Sequence, residues 1–309
     1  MGNLMENTPS LFPSLFVSHG APSLLLEQNH PTSVFLSRLG SWLGRPSAIL
    51  VVSAHWNTRD PTISLADSPE TLHDFFGFPS ALYQQSWPAP GAPQLARQVA
   101  THLRQAGFTI REDAGRGRDH GAWAPLSLMY PAADVPTIQL SIPSQCAAAE
   151  HLALGRALSP FRRHGVLILG SGSATHNLAA LDWQETTPTP AWASAFTAWL
   201  ETVLTAEDSN GRPLVANREQ ALAQWLSLAP AARMAHPTDE HFLPLPLAFA
   251  AAGPDATGHT LHAHFTFASL AMHAWAFTGA GETLPPGRPG SLPPDRANPD
   301  SRPAAPLCP

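Results

Sequence analysis

Four of the chain's fifteen histidines occupy positions where imidazoles could hold a metal or move a proton. The run Ala48-Ile-Leu-Val-Val-Ser-Ala-His-Trp56 is apolar, β-branched and ends on His55. Leu15-Phe-Val-Ser-His-Gly20 ends in the same way on His19, and Val166-Leu-Ile-Leu-Gly-Ser-Gly-Ser-Ala-Thr-His176 reaches His176 through a Gly/Ser turn. His241 opens the segment Glu240-His-Phe-Leu-Pro-Leu245. Apolar runs of roughly 4–8 residues bounded by turn residues read as buried strands of a parallel sheet. In open α/β sheets, ligands bind outside the carboxyl ends of the strands. Histidines delivered to that edge predict a metal or acid–base centre, and the small residues Ser18, Gly20 and Ala54 leave room for an ion.

Each position also has a competing reading. Gly170-Ser-Gly-Ser ahead of His176 is a turn of the kind that cradles an anion at a helix N-terminus. Asp239 and Glu240 are hard-metal ligands in their own right, and two histidines with one carboxylate form the usual mononuclear Fe(II) triad. Spacing does not separate Glu240 from His241. His120, in Asp119-His-Gly-Ala-Trp123, reads as a catalytic group or as a buried hydrogen-bonding residue of a loop. His259, His262, His264 and His273 lie on or near a C-terminal strand; alternation puts 262 and 264 on one face, a structural arrangement.

The elements that must position these groups alternate between strand and helix. Strands are predicted at 14–18, 48–54, 62–66, 135–141, 166–170 and 260–267, and helices at 31–43, 93–107, 147–163, 191–204, 220–228 and 243–252. The clearest helix is Pro93–Gly107, with apolar positions 95, 96, 99, 100 and 103, proline near its start and glycine past its end. The pattern predicts an α/β layered sandwich around a largely parallel or mixed central sheet. Three connections, 67–90, 111–131 and 205–218, exceed the roughly 12–15 residues usual in a compact domain. The first two carry His73-Asp-Phe-Phe-Gly-Phe-Pro79, Tyr83, Trp87 and Asp119-His-Gly-Ala-Trp123, a composition suited to the walls of a pocket for a flat ligand.

Composition narrows the remaining possibilities. With 44% apolar residues the chain can bury a large core, and only 13% of residues are charged. A net charge of −6 without a basic cluster speaks against nucleic-acid binding. Cys146 and Cys308 make neither a metal-type pair nor a disulfide framework, which fits a reducing cytoplasm. No stretch approaches the roughly 18 apolar residues of a membrane span, and the N-terminus has no basic leader, so a cytoplasmic protein without membrane association is expected. After Thr283 the sequence is proline-rich and aperiodic, which predicts one domain over 1–279 and a disordered tail over 280–309.

Taken together, Leu15-Phe-Val-Ser-His-Gly-Ala-Pro-Ser23, Val51-Val-Ser-Ala-His-Trp56, Thr71-Leu-His-Asp-Phe-Phe-Gly-Phe-Pro79, Trp87-Pro-Ala-Pro-Gly91, Asp119-His-Gly-Ala-Trp123, Ser171-Gly-Ser-Ala-Thr-His-Asn-Leu178 and Glu240-His-Phe-Leu-Pro-Leu245 resemble the signature segments of the class III (LigB-type) extradiol ring-cleavage dioxygenases. The match runs in order from about residue 12 to residue 275 and is nearest the DOPA 4,5-dioxygenase-like branch. The resemblance implies His19, His55 and His241 as ligands of one metal, with His241 rather than Glu240 as the third. It implies His176 as the acid–base residue, able to become a fourth ligand when zinc is bound, and His120 as a pocket histidine. An imidazole near its ordinary pKa of about 6.5 suits both directions of proton transfer.

His73, Phe75, Phe76, Tyr83 and Trp123 are the expected substrate wall. The implied cofactor is Fe(II) for activity, with Zn2+ able to occupy the site, and the implied partners are a small aromatic diol and O2. The segment Phe267-Ala-Ser-Leu-Ala-Met-His-Ala-Trp275 departs from the Gly-Ser-Leu-Ser-Met-x-Ser-Tyr pattern common to the group. From the residues alone, a zinc-dependent hydrolase using the same cluster, or a catalytically silent metal-binding protein, is the alternative.

Overall fold

A computed structural model of the chain describes residues 11–207 and 215–287, together with Pro289. Six strands, β1 (Ser14–Ser18), β2 (Ala48–Ser53), β3 (Thr137–Gln139), β4 (Val166–Gly172), β5 (Thr257–His262) and β6 (Ala274–Thr278), form one sheet in the order β3-β2-β4-β1-β6-β5. Neighbours from β3 to β1 pair in parallel, whereas β6 runs antiparallel to both β1 and β5. The protein is thus α/β with a mixed central sheet.

Both faces of the sheet are covered, which explains strands that read as continuous apolar runs. On one side Phe16, Leu50, Val52 and Ile168 meet helices α2 (Pro93–Gln105), α4 (Ala148–Leu158), α5 (Ala191–Thr205) and α6 (Pro244–Ala251). On the other, Leu15, Val17, Ile49, Val51, Leu167 and Leu169 meet α1 (Pro31–Leu43) and α3 (His120–Met129). Two glycines set how closely α6 and the residues before it approach the sheet. A Cβ on Gly170 would stand 2.3 Å from the Pro244 carbonyl oxygen, and one on Gly172 would stand 2.2 Å from that of His241. Gly170, Ser171 and Gly172 lie inside β4 and serve this close crossing, so the anion-cradle reading of the turn is not the arrangement found.

The predicted helices are present, with two refinements. Residues 147–163 divide into α4 and a 3-10 turn, Ser159–His164; residues 220–228 divide into Arg218–Ala223 and Trp225–Leu228. The connection 111–131 is not a loop throughout, because it contains a short strand, Arg111–Asp113, and α3. Helix α3 is buried around its circumference and carries Gly121 and an internal Pro125, so no apolar stripe marked it. The predicted strand 260–267 begins at Thr257 and breaks after His262, and Phe265–Thr266 pairs with Leu270–Ala271 instead. Strand β6 follows it.

Several residues beyond 279 make contacts with the folded body. Glu282 forms an ion pair with the buried Arg162, whose guanidinium also donates to the carbonyls of Phe12 at 2.7 Å and Ala252 at 2.6 Å. Trp42 Nε1 donates to the carbonyls of Pro286 and Gly287 at 3.3 and 3.2 Å, and Leu284 packs on the α1 side of the core. The rest of the expected tail, apart from Pro289, lies outside the described residues, as do residues 208–214 of the connection 205–218. Among the described residues no helix is long and apolar enough to cross a membrane.

Truncation after Gly279 should therefore lower the urea midpoint relative to truncation after Pro289. The loss should stay below the roughly 3–5 kcal/mol of a fully buried pair, because Arg162 keeps its backbone acceptors. Equal midpoints would show that the Arg162–Glu282 contact adds nothing.

Candidate metal centre

The carboxyl ends of β1, β2 and β4 converge on one point. His19 follows β1 directly, and its backbone N–H donates to the Gly172 carbonyl at 3.0 Å. His55 stands two residues beyond β2, where the Ala54 N–H donates to the Ser171 carbonyl at 2.9 Å. His241 precedes α6, and its own carbonyl accepts from Ser173 N–H at 3.0 Å. These main-chain bonds tie three histidines distant in sequence to the end of β4. The ligand nitrogens of His19, His55 and His241 all lie within 4.8 Å of one another, and the Nε2 atoms of His19 and His55 are 3.0 Å apart. Two nitrogens each about 2.1 Å from one ion lie roughly 3.0–3.4 Å apart at bond angles near 90–110°. The pair therefore suits a shared ion.

Neighbouring groups determine which nitrogen of each ring is available. His19 Nδ1 lies 3.0 Å from Ser171 Oγ, whose hydroxyl donates to the Gly121 carbonyl. The hydroxyl proton is thus committed, Ser171 must accept from Nδ1–H, and Nε2 keeps its lone pair. His241 Nδ1 donates to Glu240 Oε1 at 3.1 Å, and its Nε2 is buried without a hydrogen-bond partner. An orphaned acceptor of this kind fits a metal ligand. Glu240 therefore orients the His241 ring. Burial, with neighbouring imidazoles adding to it, pushes His19 and His241 well below the ordinary pKa and His55 down to about 3. The histidines are neutral, the form a metal requires.

His176 and His120 flank the cluster. The His176 ring stacks on His241 at 3.4 Å between centroids and 8° between planes, and its backbone N–H donates to the Ala235 carbonyl at 2.8 Å. Burial lowers its pKa to about 4, below the range expected from an unperturbed imidazole, so at neutral pH it stands ready as a proton acceptor. His120 is the first residue of α3, with its ring 3.9 Å from that of His55. Asp74 accepts from both Nδ1–H of His120 at 3.0 Å and its backbone N–H at 2.8 Å. Although burial raises the Asp74 pKa, the His120 hydrogen bonds outweigh it and keep the carboxyl low. The preceding Asp119 caps α3 through Ala122 N–H and accepts from Ser53, Gln139 and Arg116. Gly121 is required here, since a Cβ would fall 2.4 Å from Ser53 Oγ and 2.9 Å from the His55 ring.

A cavity of about 540 Å³ opens over the five histidines, and Phe75 and Phe76 line it as expected. His73, Tyr83 and Trp123 do not. They pack behind Phe75, with Trp123 buried and donating through Nε1 to the Leu72 carbonyl, and with His73 Nε2 bonded to the Gln85 carbonyl. These three residues fix the position of the wall without forming its surface. The remaining surface comes from Phe78, Leu178, Leu181, Trp183, Phe267 and Leu270. Phe78 lies in the loop 73–79 that the sequence marked as a pocket wall; the other five were not singled out, because no periodicity separates them from their neighbours. Departure from the family pattern at 267–275 was the one available signal for Phe267 and Leu270. His262 and His264, expected to be structural, line no part of this cavity; His262 stacks on Phe35 at 4.6 Å.

The comparisons agree with this geometry. Residues 13–278 match the family model described as the catalytic LigB subunit of aromatic ring-opening dioxygenase. The chain is 39% identical over 277 residues to a 4,5-DOPA dioxygenase extradiol of Beta vulgaris, covering 89% of this chain and 99% of that one. It is 40% identical over 234 residues to a protein of the same name from Escherichia coli strain K12, covering 75% and 82%. The crystal structure of an uncharacterized Escherichia coli K12 protein superposes with a TM-score of 0.71 at 34% identity, covering 87% of this chain and all of that one. The fold and the histidine centre together define an aromatic ring-opening dioxygenase of extradiol type. The chain belongs to the LigB family. Membership sets aside the hydrolase and silent-protein readings.

Two outcomes follow. Ser171→Ala frees the His19 tautomer and should weaken metal binding about 10–100-fold by competition with a chelator, the usual cost of losing a group that orients a ligand. The second concerns acid stability. Burial lowers His236 to about 3, and His262 and His273 to about 4. Since the folded values lie below the unfolded value of about 6.5, the unfolded chain binds more protons between them. Stability should be full above that value and fall as pH drops toward 4, seen as a declining urea midpoint. Replacement of His273 by Phe should flatten that slope.

Proposed function

We propose that the chain cleaves a vicinal aromatic diol beside its hydroxyl pair, incorporating both atoms of O2. The observation that carries this reading is the buried, partnerless Nε2 of His241 beside the facing Nε2 atoms of His19 and His55, at the floor of an aromatic-walled cavity. His19, His55 and His241 would hold one Fe(II). When bound, the ion supplies Lewis acidity for ionising the diol and a site for O2. DOPA, in the names of the relatives, belongs to this diol class.

The protein's own groups account for the rest. His176, neutral at working pH, takes a hydroxyl proton from the diol and returns it later in the cycle. His120, held through Nδ1 by Asp74, presents Nε2 to a substrate hydroxyl. Phe75 and Phe76 offer apolar surface to the ring and keep water from it. Zn2+ would suit the same three imidazoles, with His176 as a candidate fourth ligand, and would give a redox-silent form.

Anaerobic loading with Fe(II), followed by a catechol panel read by oxygen electrode and product absorbance, tests the proposal. Stoichiometric O2 uptake with catechols, and none with the corresponding phenols, is expected. Bound iron without O2 uptake on any diol would overturn it. His176→Ala should retain most of its metal and lose about 10²–10⁴-fold in turnover; unchanged ring cleavage would remove His176 from the reaction.

A further inference from the structure

The walls of the cavity differ in character from its floor. The five histidines and Ser173 supply its polar atoms, and the surface above them is Phe75, Phe76, Phe78, Leu178, Trp183 and Phe267. No Arg, Asp or Glu among the described residues lines it, and the chain contains no lysine at all. The arginines on the adjoining segments are already paired. Arg116 is paired with Asp119, and Arg233 with Asp239. Asp74 accepts from His120, Glu240 from His241 and Thr238, and Glu185 from Thr266 and the Phe267 N–H. Asp182 accepts from the hydroxyls of Thr186 and Thr187 and from backbone N–H groups, with its carboxyl held at about 2.

At the rim, large apolar side chains face solvent. Phe76 is 91% exposed, Trp183 61% and Leu178 58%, and Trp183 packs against Phe267 at 4.7 Å between centroids. Phe267 holds a positive φ of 50°, followed by Ala268 at 61°, in the tight turn between Thr266 and Leu270. This turn presents an aromatic ring to the cavity at a backbone conformation that costs a non-glycine residue energy. A volume of about 540 Å³ lies within the roughly 300–1,000 Å³ of drug-sized ligands, whereas a single diol ring fills a minor part of it.

We propose that the diol substrate carries an uncharged, apolar substituent, alkyl or aryl, which lies between Phe75 and Phe76 on one side and Leu178, Trp183 and Phe267 on the other. A carboxylate there would find no free cation among the described residues. DOPA, which brings a carboxylate, is therefore a poor substrate here although the diol chemistry is the same. The proposal rests on the ring-cleavage reading and narrows it to a substrate class.

The test uses the full chain loaded with Fe(II) and four diols: catechol, 4-propylcatechol, 3-(3,4-dihydroxyphenyl)propionate and DOPA. The expected kcat/KM for 4-propylcatechol exceeds those of the propionate and DOPA by at least about tenfold, as burial of an unpaired charge implies. Calorimetry on the Zn2+-loaded protein should give the same ranking of Kd without turnover. Leu178→Arg, on the exposed rim, adds the missing cation and should raise kcat/KM for the propionate several-fold while lowering it for 4-propylcatechol. Equal or better use of DOPA or the propionate, in turnover or in binding, would overturn the apolar assignment and leave ring cleavage standing. An unchanged substrate ratio in Leu178→Arg would also overturn it. Failure of every diol to consume O2 would refute the ring-cleavage reading, and the calorimetric ranking would still decide between apolar and charged substituents.

Discussion

The structure depends on burying imidazoles that cannot all find hydrogen-bond partners within the protein. A buried polar atom without a partner costs on the order of 1–3 kcal/mol, and His241 Nε2 is such an atom, beside two facing Nε2 atoms. The arrangement is tolerable when each ring is neutral and its tautomer is set from behind. Ser171 does this for His19 and Glu240 for His241. The chain thus maintains a pocket of unshared lone pairs at a cost that a bound cation would offset. Charge repulsion and burial act in the same direction here, since each protonated imidazole would disfavour the next.

Maintaining that pocket requires backbones to cross more closely than side chains ordinarily allow. Gly170 and Gly172 let the 241–251 segment lie against β4, and Gly121 lets the start of α3 approach the His19–His55 pair. The main-chain bonds from His19 to Gly172, from Ala54 to Ser171 and from Ser173 to His241 then fix three strand ends in one frame. Any one of these glycines, given a side chain, would displace a ligand-bearing segment by more than the roughly 0.5 Å such a centre tolerates. Glycine in a buried strand is otherwise a weakness, so the contacts explain why β4 carries two.

Much of the centre was legible in the sequence because strand-end histidines follow from periodicity alone. His19 and His55 were readable as a pair on that basis, and the helices at 31–43 and 93–105 by their apolar spacing and proline starts. The choice of His241 over Glu240 came from the family resemblance, since both residues are plausible ligands and only three-dimensional placement shows Glu240 bonded to Nδ1. Helix α3 was missed because burial on all sides erases the amphipathic stripe, and with it went the position of His120 at a helix N-terminus. Asp74 was invisible for another reason. It stands beside His73, which carried the expectation for that loop, while the hydrogen bonds belong to its neighbour. Composition also could not reveal that Glu282, beyond the expected boundary at 279, meets a buried arginine from residue 162.

The division between floor and walls bears on how such a site changes its substrate. The histidines stand at or just beyond strand ends, at the start of α3 and before α6, held by backbone geometry that permits little variation. The walls come from segments around 75–78, 178–183 and 265–270, which meet only above the floor. Tyr83 and Trp123, behind Phe75, support one wall without touching the cavity. Substitution in the walls changes what the cavity admits while leaving the lone-pair geometry alone. Low polarity above the floor also strengthens every electrostatic contact made below it. On the proposed function, the apolar walls act on the chemistry as well as on selection, since water kept from the floor would not compete with a substrate oxygen for His120 or His176.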